Sequence, residues 1–331
     1  MRVVIDAAIP YIKGILEPYS EVIYLQAKEI TATVVRNADA LIIRTRTNCN
    51  QELLDGSAVK FIATATIGTD HIDQQYCAAH NIEVCSAPGC NARGVLQWVA
   101  AALHHIVATD QRSPESYTLG VVGVGNVGSL VSEYARHWGF RVMECDPPRA
   151  ARESGTFYTI DEIAQKCDII TLHTPLDSTT YHLVNETLIH TMPSKTIIIN
   201  ASRGEVVDNR AVTESGHRYI FDVWESEPHI EPNILQGAML ATPHIAGYSV
   251  QGKANATAMA INALARYFDI PLKEWYPENI QRTTPRPITW SELCATITKY
   301  CDIKKENLQL KDSPENFELI RNSYNYREEY F

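Results

Sequence analysis

Between Thr118 and Gly128 the chain reads TLGVVGVGNVG: an apolar, β-branched run that breaks into Gly123, Gly125 and Gly128 and then into a helical pattern. Three glycines in a G-x-G-x-x-G spacing arise often by chance, so the flanks decide the matter. Upstream lies a strand-like run. Downstream, Val127, Leu130, Val131, Tyr134, Ala135 and Trp138 fall on one helical face, and Gly139 stands where that helix should stop. Such glycines permit a tight turn and a close backbone approach, which sets a pyrophosphate on the helix N-terminus beside Asn126 and Val127. The next apolar run, Phe140 to Cys145, ends at Asp146, 18 residues beyond Gly128. A carboxylate there hydrogen-bonds the adenosine ribose and repels a 2′-phosphate, so NAD is expected over NADP, with Arg149 the one residue able to soften the preference. The same pattern would also suit another nucleotide or S-adenosylmethionine on a doubly wound sheet.

The rest of the chain keeps this rhythm. Val3–Asp6, Leu41–Ile43, Phe61–Ala65, Leu119–Val124, Arg141–Cys145, Ile169–His173, Thr196–Asn200 and Tyr219–Asp222 read as buried strands alternating with amphipathic helices, which predicts parallel sheet built from βαβ units. Thr159 and Glu162 can form a capping box that opens the helix leading into the strand that ends at His173. With 331 residues the chain holds two or three domains, and 45% hydrophobic with 21% charged residues excludes disorder and collagen. The longest apolar stretch ends at His104, too short for a membrane span, and Asp6 interrupts any signal-like N-terminus. A net charge of −10 without a basic block gives no attraction to nucleic acid or anionic lipid. The eight cysteines never fall in a CxxC spacing, so no metal site is expected and reduced, cytoplasmic thiols are.

Composition shifts near residue 270. From Pro271 onward about 31% of residues are charged, against about 18% before it, and the strand rhythm stops. Pro314 marks a helix start, after which Phe317, Ile320 and Tyr324 fall on one face. This tail is expected to be a separate small unit that needs another surface, either a second copy of the chain or the chain itself.

Three polar residues stand at the carboxyl ends of the later strands: Arg203 in NASRGEVVD, Glu227 in DVWESEP and His244 in PHIAGY. Singly, each could be bland: a surface arginine, a turn cap, a satisfied histidine. Together, downstream of a dinucleotide turn, they suit hydride transfer from a 2-hydroxy acid. Histidine can take the hydroxyl proton, a carboxylate can fix its tautomer, and arginine can clamp the substrate carboxylate.

With those motifs in this order the chain resembles the D-isomer-specific 2-hydroxyacid dehydrogenase family. TATIGTDHID (64–73, preceded by Ala63), SAPGCNA (86–92), CDPPRA (145–150), HTPL (173–176), HIAGYS (244–249) and FELIRNSYNYRE (317–328) place it near a branch acting on a phosphorylated acid. The resemblance covers nearly the whole chain. It implies an α/β, bilobal subunit: a Rossmann-type NAD domain (93–243) inserted into a flavodoxin-like substrate-binding domain (1–92 and 244–270), followed by a small C-terminal domain (271–331) that makes a homodimer. It implies that Arg203 and Glu227 are active-site residues and that His244 donates and accepts the proton. It further implies cofactor contacts at Gly123, Gly125, Asn126, Val127, Gly128, Asp146, Thr174, Ala201, Ser202, Arg203, Asp222 and Gly247, and substrate contacts at Thr45, Thr66 and Tyr248. The implied reaction is oxidation of 4-phospho-D-erythronate to 2-oxo-3-hydroxy-4-phosphobutanoate by NAD, in pyridoxal phosphate synthesis. Two departures stand out: the tail is shorter than the family usually carries, and the helix between Asp208 and Tyr219 is short. Another 2-hydroxyacid dehydrogenase, such as one acting on 3-phosphoglycerate, and an NAD-sensing regulator on the same scaffold are the competing readings.

The substrate phosphate is placed by the residues alone. Arg44 and Arg46 are two apart at the end of a strand and would point the same way, beside Thr45. They form either a phosphate clamp or the solvated edge of a strand.

Overall fold

The computed structural model describes residues 1–331 and divides them into two compact units, 1–91 with 250–282 and 92–249 with 283–331. The first unit holds five parallel strands: β1 (Arg2–Asp6), β2 (Glu21–Leu25), β3 (Ala40–Ile43), β4 (Phe61–Thr64) and β5 (Glu83–Cys85), in the order β2-β1-β3-β4-β5. That is the flavodoxin-like order. β3 and β4 are buried along their whole length, as strands covered on both faces must be. On one face of this sheet Val3, Ile5, Ile42, Phe61 and Ala63 meet Ile261 and Leu264 of the helix Val250–Tyr267. The return segment thus completes the first unit's core from a distant part of the sequence.

The second unit is a six-stranded parallel sheet: β6 (Thr118–Val122), β7 (Arg141–Cys145), β8 (Ile169–Leu172), β9 (Ile197–Asn200), β10 (Arg218–Phe221) and β11 (Leu240–Ala241). The order is β11-β10-β9-β8-β6-β7. The winding reverses at β6, the strand that ends in the glycine turn, and a ligand crevice forms at such a switch point. The expected strands are present, but β4, β6, β8 and β10 stop one or two residues short of the apolar runs. Val124, His173 and Asp222 lie in the loops beyond, and after β6 it is Gly123 at φ +82° that turns the chain out of the sheet. β2, β5 and β11 carry no clear run and were not expected; β2 is a partly exposed edge strand and β11 has two residues.

The tail does not stand alone. Residues 283–331 pack with 92–249. Ile288, Leu293, Ile297 and Phe331 share a core with the buried helix Ala92–Asp110 and with Val131 and Trp138 of the helix Asn126–His137. On the opposite face of the sheet, Leu310, Phe317 and Ile320 join the cluster of Phe221, Trp224 and Leu235. Of the two surfaces the tail could have needed, its own chain supplies one. The first unit also runs on to 282, and His244 lies in the second unit, where the expected boundaries put residues 271–282 in the tail and His244 in the substrate-binding domain. The helix after Pro314 runs from Phe317 to Asn322, so Tyr324 falls beyond its end. The capping box forms, with Thr159 Oγ1 accepting from the Glu162 amide at 3.2 Å and Glu162 Oε2 accepting from the Thr159 amide at 3.0 Å. All eight cysteines are unpaired, and no helix is long and apolar enough to cross a membrane.

Candidate active site

Gly125 is the cap residue of the helix Asn126–His137, and Gly125 and Asn126 are exposed at its N-terminus. A Cβ on Gly128 would collide with the Gly123 carbonyl, and one on Gly123 would lie 2.8 Å from the His173 carbonyl, whereas a Cβ on Gly125 would meet open space. Two glycines are therefore demanded by packing, and the third leaves the helix terminus open to a diphosphate. Asp146 follows β7 and leans over this turn, with Oδ2 accepting from the Val124 amide at 2.8 Å and Oδ1 from the Arg149 amide at 2.9 Å. Arg149 is engaged by Glu153 at 2.6 Å and by the Val124 carbonyl at 2.7 Å, so it offers little to a 2′-phosphate. Across the turn, Thr174 Oγ1 and His173 Nδ1 are buried without a hydrogen-bond partner. His173 is enclosed, and burial holds its imidazole neutral, with the pKa pushed down to about 3. An open helix N-terminus, an acidic ribose-side residue and an orphaned hydroxyl fit a dinucleotide.

The loop after β9 carries Ala201, Ser202 and Arg203, and Asn200 shapes it. Asn200 Oδ1 accepts from the Ser202 amide at 3.1 Å and from its hydroxyl at 2.8 Å, while Asn200 Nδ2 donates to the Arg203 carbonyl at 2.8 Å. Behind Arg203, Gly204 lies so close to the Trp224 backbone that any side chain there would clash. The Arg203 guanidinium donates to the Ser202 carbonyl at 2.8 Å.

Glu227 and His244 meet, as the spacing alone could not show. Glu227 Oε2 lies 2.8 Å from His244 Nδ1, and Glu227 Oε1 accepts from the Trp224 amide at 2.9 Å. Burial pushes the Glu227 carboxyl up, but His244, the Trp224 amide and Arg321 together hold it below its usual range. An ionised carboxylate only accepts, so His244 Nδ1 carries the hydrogen and Nε2 is left to exchange a proton with a substrate. A depressed carboxyl keeps this pairing above the ordinary carboxylate range and loses it only as pH falls through the lowered value.

His244 itself has φ +57°, a strained conformation for a side chain other than glycine's. Asp222 and Arg327 enforce it. Asp222, expected at the cofactor, is 1% exposed, and its carboxylate accepts from Thr242 Oγ1 at 2.5 Å and from the Ile245 and Ala246 amides at 2.8 Å each. Its carboxylate is thus spent within the chain, folding the 242–246 loop back beneath the histidine. From the tail, Arg327 donates to the carbonyls of Ile245 at 3.1 Å and Gly94 at 2.8 Å, and also to Ala246. Gly247 and Tyr248 follow in the same loop, and Tyr248 Oη accepts from Arg321 Nε at 3.1 Å. Neither Arg321 nor Arg327 was expected at the site. The tail motif was the only signal, and nothing in its sequence says what it faces.

The first unit presents its expected residues differently. β3 ends at Ile43, so Arg44 and Arg46 lie in a turn, where strand alternation no longer governs direction. Arg44 Nε donates to the buried Asp6 at 2.9 Å, while Thr45 and Arg46 are exposed. The strand geometry that would make the two arginines a same-facing pair is thus absent, and the Arg44 charge is committed to Asp6. Thr66 shares a hydrogen bond of 2.7 Å with Thr64 at the end of β4.

Residues 96–246 match the model of the D-isomer specific 2-hydroxyacid dehydrogenase NAD-binding domain. Among curated proteins, the erythronate-4-phosphate dehydrogenase of Bacteroides thetaiotaomicron is 42% identical, over 99% of this chain and 97% of its own length. The Photorhabdus laumondii protein of the same name is 36% identical over 100% and 93%. Among solved structures, a 3-phosphoglycerate dehydrogenase of Entamoeba histolytica with NAD bound is 26% identical, with TM-score 0.69, and covers 85% of this chain and 99% of its own. The D-lactate dehydrogenase of Aquifex aeolicus has the same fold, at 22% identity and TM-score 0.68 over 85% and 100%.

Proposed function

Because the chain belongs to the erythronate-4-phosphate dehydrogenase family of D-isomer specific 2-hydroxyacid dehydrogenases, and is thus an NAD-dependent oxidoreductase acting on a CH–OH group, we propose that it oxidises 4-phospho-D-erythronate at C2. The product is (R)-3-hydroxy-2-oxo-4-phosphobutanoate, in the route to pyridoxal phosphate. NAD supplies the hydride acceptor. The observation that carries the reading is the His244–Glu227 pair at 2.8 Å on the same unit as the open glycine turn.

The residues divide the work as follows. Gly125, Asn126 and Val127 receive the diphosphate at the helix N-terminus, with Gly123 and Gly128 shaping the turn, and Asp146 takes the ribose. Thr174, Ala201, Ser202 and Gly247 border the rest of the cofactor. Arg203 binds the substrate carboxylate and polarises the C2 oxygen as it becomes a carbonyl. His244 Nε2 takes the hydroxyl proton, and Glu227 stabilises the imidazolium that results. Thr45, Thr66 and Tyr248 complete the substrate's surroundings. Asp222 acts by folding the His244 loop.

We further propose a cytoplasmic homodimer formed through the tail. Leu308 and Leu319, on the helices Ile303–Asp312 and Phe317–Asn322, are 62% and 65% exposed, although both helices bury their opposite faces.

Initial rates of NADH formation on 4-phospho-D-erythronate, 3-phospho-D-glycerate and D-lactate test the substrate. The expected result is a kcat/KM at least ~100-fold higher for the first. Equal or greater efficiency on 3-phospho-D-glycerate would replace it.

A further inference from the structure

The tail brings two arginines to the His244 loop, and they are used in opposite ways. Arg327 is buried and spends its terminal nitrogens on the carbonyls of Gly94, Ile245 and Ala246 and on Tyr324 Oη at 3.1 Å. It is structural. Arg321 is only 14% exposed, yet within the chain it makes a single hydrogen bond, from Nε to Tyr248 Oη. Its nearest carboxylate, Glu318, is 3.9 Å away, beyond hydrogen-bond reach. The guanidinium also lies 5.8 Å from the centre of the Tyr248 ring, and its charge acts on Glu227. A guanidinium has five donors in a fixed fork, and here the two terminal nitrogens are unspent. Two oxygens of one anion would complete such a fork.

We propose that Arg321 binds the second anionic group of the substrate, the phosphate, through those two terminal nitrogens. The proposal rests on the reading of the substrate as a phosphorylated 2-hydroxy acid. Such an acid carries a carboxylate at its reacting end and a phosphate at the other, and a planar fork takes two phosphate oxygens at once. Arg203 serves the first group. Arg44 is a poor candidate for the second, because Asp6 already neutralises it. The short tail thus carries a specificity residue into the active site of the unit on which it packs.

The test compares wild type, Arg321→Gln and Arg321→Lys, with kcat and KM measured on 4-phospho-D-erythronate and on D-erythronate. The NAD dissociation constant and the competitive inhibition constant of inorganic phosphate are measured on the same preparations. Arg321→Gln is expected to raise KM for the phosphorylated acid at least ~10-fold. It should lower the efficiency ratio of phosphorylated to plain acid by a similar factor and weaken phosphate inhibition, with NAD binding unchanged. Arg321→Lys keeps the charge without the fork and is expected to fall between; should the Gln variant not fold, the Lys variant's ratio decides. Equal losses on both acids with a displaced pH profile would overturn the proposal, since Arg321 would then act only through Glu227 or Tyr248. Wild type with no preference for the phosphorylated acid would instead remove the substrate reading itself.

Discussion

Two loops leave parallel sheets at their carboxyl ends in this protein, one after β3 and one after β11, and they are organised on opposite principles. The loop at His244 is fastened from within: the Asp222 carboxylate accepts three hydrogen bonds from it, and Arg327 reaches in from more than eighty residues away to take its carbonyls. The price is a histidine at φ +57°. In the loop at Arg44, the Arg44 guanidinium pairs with the buried Asp6 at 2.9 Å, while Thr45 and Arg46 stay exposed. Charges can be spent on holding a loop or on holding a ligand. In the first loop the buried charges hold the chain, which frees His244 for chemistry. In the second, the charge that looked available for a ligand holds the chain instead.

That difference can be broken at either end. The largest effect is expected at His244. His244→Asn should lower kcat by ~10²–10⁴ while the NAD dissociation constant, read by fluorescence titration, stays within about twofold. Near-normal turnover would remove it as the base. Arg327→Met removes the buried donor that ties the Gly94, Ile245 and Ala246 carbonyls together, so it should cost about 3 kcal/mol in urea unfolding and lower kcat with it. An unchanged midpoint would mean the loop holds its shape without the tail. The smallest effect is expected at Arg44. Arg44→Ala leaves the buried Asp6 carboxylate with the Ala8 amide but no counter-charge and should cost about 2 kcal/mol, allowing for the solvent that reaches the arginine. Adding Asp6→Asn should return part of it. A loss of efficiency confined to the phosphorylated substrate, with stability intact, would restore Arg44 as a phosphate ligand.

The same contrast explains what the sequence could disclose. The glycine turn, the strand before it and Asp146 were legible because each is a local pattern with a backbone reason, such as the φ of +82° at Gly123. Arg203, Glu227 and His244 were legible as a set by their places at strand ends. Their pairing was not, because 17 residues of sequence separate Glu227 from His244 and only the fold closes the gap. For Asp222 the family resemblance implies a cofactor contact, and the sequence gives no sign of its part in folding the loop. That it faces the loop beneath His244 depends on the Ile245 and Ala246 amides turning toward it. For Arg44 and Arg46 strand alternation carries no information, because the strand has ended at Ile43. The tail's contribution was the least legible part. Its charge-rich composition suggested an appendage, while Ile288, Leu293, Phe317 and Ile320 are spaced to enter two different faces of the second unit's core.

The central claim is that His244 exchanges the substrate proton through Nε2 because Glu227, ionised and in contact, holds Nδ1. The most direct measurement is the pH profile of kcat/KM for oxidation in wild type and Glu227→Gln. Glutamine keeps the size of the side chain and removes the charge that favours imidazolium. The acid limb should therefore move to lower pH by about one unit or more, and kcat should fall. An acid limb at the same pH in both proteins would contradict the account.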